Sequence, residues 1–167
     1  MSKANVLTNK NQINSLSKYY NMAKILLMIT PLMSLMYLSM ESTSMGMPIT
    51  EIMQKNPRLT IIFLTSMINP FIAYLLIFIQ KKIEERDIEY AVINLTLFVL
   101  VEIILQNMLY VILFGFILYK TLKAYNIRIK ESFKSKLNNG FFMTISGSLV
   151  VIILAGICLF ANIRINM

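Results

Sequence analysis

Histidine and tryptophan are absent from this sequence, cysteine occurs once, and long stretches carry no charge at all. Each gap excludes something. Without histidine the chain lacks the commonest general base and the commonest metal ligand. One cysteine without histidine leaves no thiolate–imidazole pair and no internal disulfide. No glycine-rich phosphate loop, HExxH, CxxC or GxSxG occurs. These gaps argue against an enzyme and leave no metal or cofactor site to name. Cys158 lies inside an apolar run and reads as a small buried packing residue.

What is present is apolar surface in long runs. Of 167 residues, 57% are hydrophobic, and nearly all charges fall between the runs. A soluble helix would alternate a charged face with an apolar one. A run of about 18 or more apolar residues reads instead as a bilayer span. The expectation is an all-α polytopic membrane protein: a bundle of four transmembrane helices with amphipathic interfacial segments. The spans fall at about 25–40, 59–80, 91–119 and 141–163 in a single membrane domain, 24–167. A polar segment, 1–23, precedes it.

That leading segment places Ile13, Leu16, Tyr20 and Ala23 at three- and four-residue spacing. The stripe reads as an interfacial helix, with a disordered tail as the rival. The first apolar run is short and carries Pro31. A segment that re-enters or lies on the surface, leaving three full spans, is therefore the alternative. Asn56 and Pro57 mark a clear start for the second helix. Asp87 is the expected cap of the third. Neither proline nor glycine interrupts residues 71–114, so the third helix is expected to run from Ile88 to about Lys123. That is longer than a bilayer is thick. Glu84, Glu85, Asp87 and Glu89 are interleaved with Lys82 and Arg86 and neutralise one another, a better reading than a cation site.

The net charge is +8. The basic residues flank apolar runs, which points to anionic lipid headgroups and away from nucleic acid. Lys120, Lys123, Arg128, Lys130, Lys134 and Lys136 surround Ile129, Phe133 and Leu137, a basic amphipathic stretch over 126–137 suited to anionic lipid or a partner. Cytoplasmic loops carry excess Lys and Arg. Four spans divide them eight to eight, whereas removing the first span divides them twelve to four. The expected location is a cell membrane, multi-pass, of the bacterial plasma-membrane type, with a cytoplasmic N-terminus.

Inside the membrane the exceptional residue is Glu102. An ionised carboxylate at that depth is costly and often functional, and no apolar run supplies a basic partner. On one continuous helix Asn94, Glu102, Gln106 and Tyr110 share about half the circumference, with Asn107 alongside. Thr65, Asn69 and Ala73 offer a facing polar stripe, placing Asn69 within reach of Glu102 or Gln106. Two functions fit. The first is a non-catalytic accessory, regulatory or immunity-type subunit, working through contacts with another membrane protein or with itself. The alternative is an ion or proton transport component, oligomeric, using the seam around Glu102.

Overall fold

The computed structural model describes residues 3–137 and 140–166, with side chains over 15–137 and 140–165. Every element among them is a helix: α1 Lys3–Met45, α2 Ile49–Lys55, α3 Pro57–Glu84, α4 Ile88–Ile104, α5 Met108–Tyr125, α6 Ile129–Leu137 and α7 Phe141–Asn166. Four helices are long and apolar enough to cross a membrane: α1 over Ser15–Met45, α3, α5, and α7 over Phe141–Ile165. The fold is the expected all-α polytopic bundle. Its outer surface is apolar, with Ile25, Met28, Leu32, Met36, Ile153, Ile157 and Phe160 all exposed. Such a band would aggregate in water and suits a lipid surround.

Two helix starts follow the local chemistry. The Asn56 side chain accepts from the Leu59 amide at 3.4 Å, with Pro57 at the first helical position. The Asp87 carboxylate accepts from the Tyr90 amide at 3.2 Å. The acidic cluster is engaged locally as well. Glu85 pairs with Lys82 at 2.7 Å, and that ammonium holds its carboxyl below the usual carboxylate range.

The first apolar run departs from its alternative reading. α1 passes unbroken through Pro31, so the run is a full-length helix and not a re-entrant piece. The turn before Pro31 is tied both to α5 and within its own helix. The Tyr110 hydroxyl from α5 donates to the Leu26 carbonyl at 3.1 Å, and Thr30 donates to the same carbonyl at 2.9 Å. Along α3, Lys24 and Ser17 bond Gln80 at 2.8 and 3.0 Å. Residues 3–23 are continuous with the same helix. Leu16, Tyr20, Ala23 and Leu27 are buried in the main core, and the Tyr20 hydroxyl bonds Thr121 at 3.2 Å. The Ile13 side chain lies outside the described residues, as do Asn138 and Asn139.

The larger correction is the third helix. It does not run from Ile88 to Lys123: α4 stops at Ile104 and α5 starts at Met108. Gln106 takes a left-handed φ of +57° and Asn107 occupies the N-cap position of α5. The two arms fold back on each other, and Phe98 meets Phe114 at 5.6 Å between ring centroids, about two turns from the tip on either side. The arms form a helical hairpin. α4 becomes the central helix, packed on α3, α5, α6 and α7.

The hairpin changes the charge balance between the two ends of the bundle. One end holds the N-terminal half of α1, the α3–α4 turn and the α5–α6–α7 connection. The opposite, distal end holds α2 and the C-terminal end of α7, and the hairpin tip points towards it. Lys55, Arg58 and Arg164 lie distally, and the other thirteen of the sixteen Lys and Arg residues lie at the first, basic end.

Candidate intramembrane site

The hairpin tip does not reach the distal end. Tyr110, three residues past the turn, contacts Thr30, and α1 continues apolar from there to Met40. Those ten residues extend about 15 Å beyond the tip. α7 is in register with α4 through Asn94 and Ser148, and it likewise runs past the tip to Arg164. Three longer helices around a shorter hairpin leave a hollow beneath it. A cavity of about 560 Å³ lies there, walled by α1, α3, α7 and the tip.

Its lining is mixed. Thr30, Ser34, Thr65, Ser66, Asn69, Gln106, Asn107 and Asn162 supply polar groups, and among the described residues Arg58 is the one charged side chain on the wall. Of the seam expected from the sequence, the structure brings Asn69, Gln106 and Asn107 together here. Asn69 is fully buried, and both its amide nitrogen and its oxygen lack a partner among the described residues. The expected bond from Asn69 to Glu102 or Gln106 is not formed.

Glu102 lies one turn behind the tip. It is fully buried, neither oxygen makes a well-formed hydrogen bond among the described residues, the Asn107 side chain is the polar group that approaches it, and it is not on the cavity wall. Leaving a buried polar atom unpaired costs about 1–3 kcal/mol, so four such atoms in two side chains at one level call for a reason beyond packing.

Asn94 separates from the seam. Its amide donates to the carbonyls of Tyr90 and Thr144 at 2.9 and 3.0 Å, and its oxygen accepts from Ser148 at 2.5 Å. It joins α4 to α7 and is not on the wall of this cavity. Tyr110 also leaves the expected face, because the turn at Gln106 puts it on α5 against α1. α3 and α7 approach closely at Gly147, where a Cβ would stand 2.6 Å from the Leu75 side chain.

Several wall residues were not singled out by the sequence: Thr30, Ser34 and Arg58. Cys158 is partly buried, packed against the main core and also on the cavity wall. The only available signal was its place one turn before Asn162 on the same helix face.

The basic residues expected to meet lipid or a partner divide into two groups. Lys123, Arg128, Lys130 and Lys134 are exposed at the basic end. Lys120 lies over the Phe116 ring at 5.3 Å. Lys136 is committed to Asp87 at 2.7 Å, and Ser132 beside it is fully buried where α6 leans on α4. Ile129 and Leu137 remain exposed, so the apolar stripe of α6 is open.

Comparison with known families, curated proteins and solved structures finds no match. The site's chemistry therefore stands on its own geometry.

Proposed function

We propose that this protein is a small proton-linked transport component of a cell membrane, with Glu102 as the group that takes up and releases the proton. The observation that carries this reading is the polar cavity beneath the hairpin tip, with Asn69 unpartnered on its wall and Glu102 buried one turn behind it, approached by the Asn107 side chain and by no basic group. Re-entrant or broken helices at membrane depth are found where backbone lines a water-filled cavity or a transport site. An intramembrane carboxylate without a basic partner suits a proton relay, because it is neutral when loaded and charged only when it has released its proton.

The charge distribution supports an orientation. With thirteen Lys and Arg residues at one end and three at the other, that end is cytoplasmic by the positive-inside rule, and the cavity opens to the outer face. The eight-to-eight division expected for four spans disappears because α4 and α5 return the chain to the side it came from. The accessory-subunit reading draws on the exposed basic end. It leaves the unpartnered groups at the tip without a role, which is why the transport reading is preferred.

The full chain reconstituted in liposomes with an entrapped pH-sensitive dye tests this. An imposed pH gradient is expected to dissipate faster than in empty vesicles, and Glu102→Gln is expected to slow it at least about tenfold, as loss of an essential proton carrier would. Flux that Glu102→Gln leaves untouched removes Glu102 from the mechanism. No flux with the native chain removes the reading.

A further inference from the structure

The basic end of the bundle has two unlike flanks. Its carboxylates, Glu84, Glu85, Asp87, Glu89 and Glu131, lie about the α3–α4 turn and on α6. There they take lysines as partners, Lys82 on Glu85 and Lys136 on Asp87, each at 2.7 Å. The other flank, where α1 and α5 pack antiparallel, has no carboxylate to offer. Residues 1–40 and 103–130 contain no Asp or Glu. Lys24 of α1 bonds the neutral Gln80 amide at 2.8 Å, and Lys18 is exposed. Lys120 and Lys123 of α5 have no carboxylate partner among the described residues. Their counter-charge has to come from outside the chain.

Lys120 and Lys123 share a cleft. Ser15, Leu16 and Tyr19 of α1 and Lys120, Lys123 and Ala124 of α5 line a volume of about 170 Å³. At about 30 Å³ for each water molecule, that is room for a phosphate group with its ester oxygens. Two ammonium groups and two hydroxyls on the wall can all donate to phosphate oxygens. The negative end of α5 is partly closed, because the Leu122 carbonyl accepts from the Asn126 and Ile127 amides. Lys120 also stands more than a turn from that end, where the helix dipole has faded.

Depth identifies the source of the phosphate. Lys120 lies over the Phe116 ring at 5.3 Å, and Phe116 meets Tyr19 edge-on at 5.1 Å. Phe116 and Ile112, four and eight residues before Lys120, are exposed, as is Met22, three residues past Tyr19. The polar cleft passes directly into an outward-facing apolar surface on both helices. A free phosphate would use the cleft alone, whereas a lipid uses the cleft for its headgroup and the apolar surface for an acyl chain. Tyr19 and Tyr119 mark headgroup level, where tyrosine collects. Basic pockets between membrane helices on the cytoplasmic side suit anionic headgroups.

We infer that the α1–α5 cleft binds the headgroup phosphate of one anionic glycerophospholipid in the leaflet at the basic end. Lys120 and Lys123 supply the counter-charge, and the Ser15 and Tyr19 hydroxyls donate to the phosphate oxygens. A zwitterionic lipid brings its own cation against two ammonium groups, with no carboxylate to receive it. The site does not involve Glu102 and stands whether or not the bundle conducts protons.

The full chain in neutral detergent is offered equal amounts of dioleoylphosphatidylglycerol and dioleoylphosphatidylcholine, and bound lipid is counted by native mass spectrometry. A lysine near an anionic headgroup is worth about fivefold in affinity, so the native chain is expected to retain phosphatidylglycerol at least about tenfold over phosphatidylcholine. Lys120→Gln combined with Lys123→Gln is expected to cut that preference about tenfold. Lys130→Gln combined with Lys134→Gln, on α6, is expected to change it less than about twofold. Inorganic phosphate at about 10 mM is expected to displace no more lipid than sodium chloride of the same ionic strength.

A native-chain ratio near one overturns the inference. Equal losses in the two double variants also overturn it, since a diffuse basic field then replaces the cleft. Displacement by phosphate beyond the chloride control makes the cleft a site for soluble phosphate and overturns the lipid. If the Lys120 and Lys123 double variant does not fold, Lys123→Gln alone, at an exposed position, is expected to cut the preference about fivefold, and no cut overturns the inference.

Discussion

Asn94 and Asn69 are the same residue type, both buried at membrane depth, and they are in opposite states. Asn94 uses both amide hydrogens and its oxygen, tying α4 to two carbonyls and to Ser148 of α7. Asn69, on α3 beside the cavity, uses none. The first is a fastener between helices. The second holds its hydrogen-bonding capacity in reserve beside the cavity. The contrast teaches that a polar side chain within a span is identified by its partners, not by its depth. On sequence the two belonged to one seam.

The comparison depends on the hairpin, and the largest expected effect tests that dependence. Cysteines introduced at Glu85 and Ser135, in a background without Cys158, are expected to label from one side of the membrane. Cysteines at Met45 and Ile165 are expected to label from the other. The effect is all or none. A continuous third helix carries Ser135 to the side opposite Glu85, so opposite labelling of those two positions would abolish the hairpin and the cavity beneath it.

Next in size are the two asparagines themselves. Asn94→Leu removes a second bond to the Thr144 carbonyl, leaves the Ser148 hydroxyl without its partner in the core and is expected to lower stability by about 1–2 kcal/mol. Asn69→Leu removes an amide that bonds nothing and is expected to leave stability unchanged or raise it by about 1 kcal/mol. Unfolding in mixed micelles followed by helical ellipticity measures both. Equal losses for the two variants would erase the distinction and return Asn69 to a packing role.

Much of this fold was legible, and the reasons are local. Apolar runs of bilayer length, Asn56 before Pro57, and Asp87 three residues ahead of Tyr90 all act over a few residues, so a single sequence displays them. The hairpin was hidden because its turn uses no glycine or proline. Gln106 takes the left-handed position, which glutamine rarely does, and nothing in Leu105-Gln106-Asn107 announces it. The one clue was arithmetic: thirty-six residues from Ile88 to Lys123 are about 54 Å of helix, far beyond a bilayer core of about 30 Å. The cavity was hidden for a different reason. Thr30, Ser34, Asn69 and Cys158 come from three helices, and only the depth at which the hairpin stops makes them neighbours. Glu102 and Asn69 were legible as unusual residues, but not as unpartnered ones.

The smallest expected effect bears most directly on the turn. Gln106 with φ of +57° is in a conformation that costs an L-residue with a side chain about 1 kcal/mol or more and that glycine adopts freely. Gln106→Gly relieves that strain at the tip and gives back part of the gain by loosening the unfolded chain, so a net stabilisation of about 0.5 kcal/mol is expected. The sign is what matters. Inside an unbroken helix the same substitution costs about 1 kcal/mol, because glycine gives up more backbone freedom there than any other residue. Gln106→Val provides the opposite pole. A β-branched residue tolerates the left-handed region worst, so valine is expected to destabilise the hairpin by about 1–2 kcal/mol while being nearly harmless in a continuous span. The order glycine above glutamine above valine in micellar unfolding belongs to a hairpin whose tip stops inside the membrane. The order valine and glutamine together above glycine belongs to a straight helix, which would have no cavity for Asn69 to line.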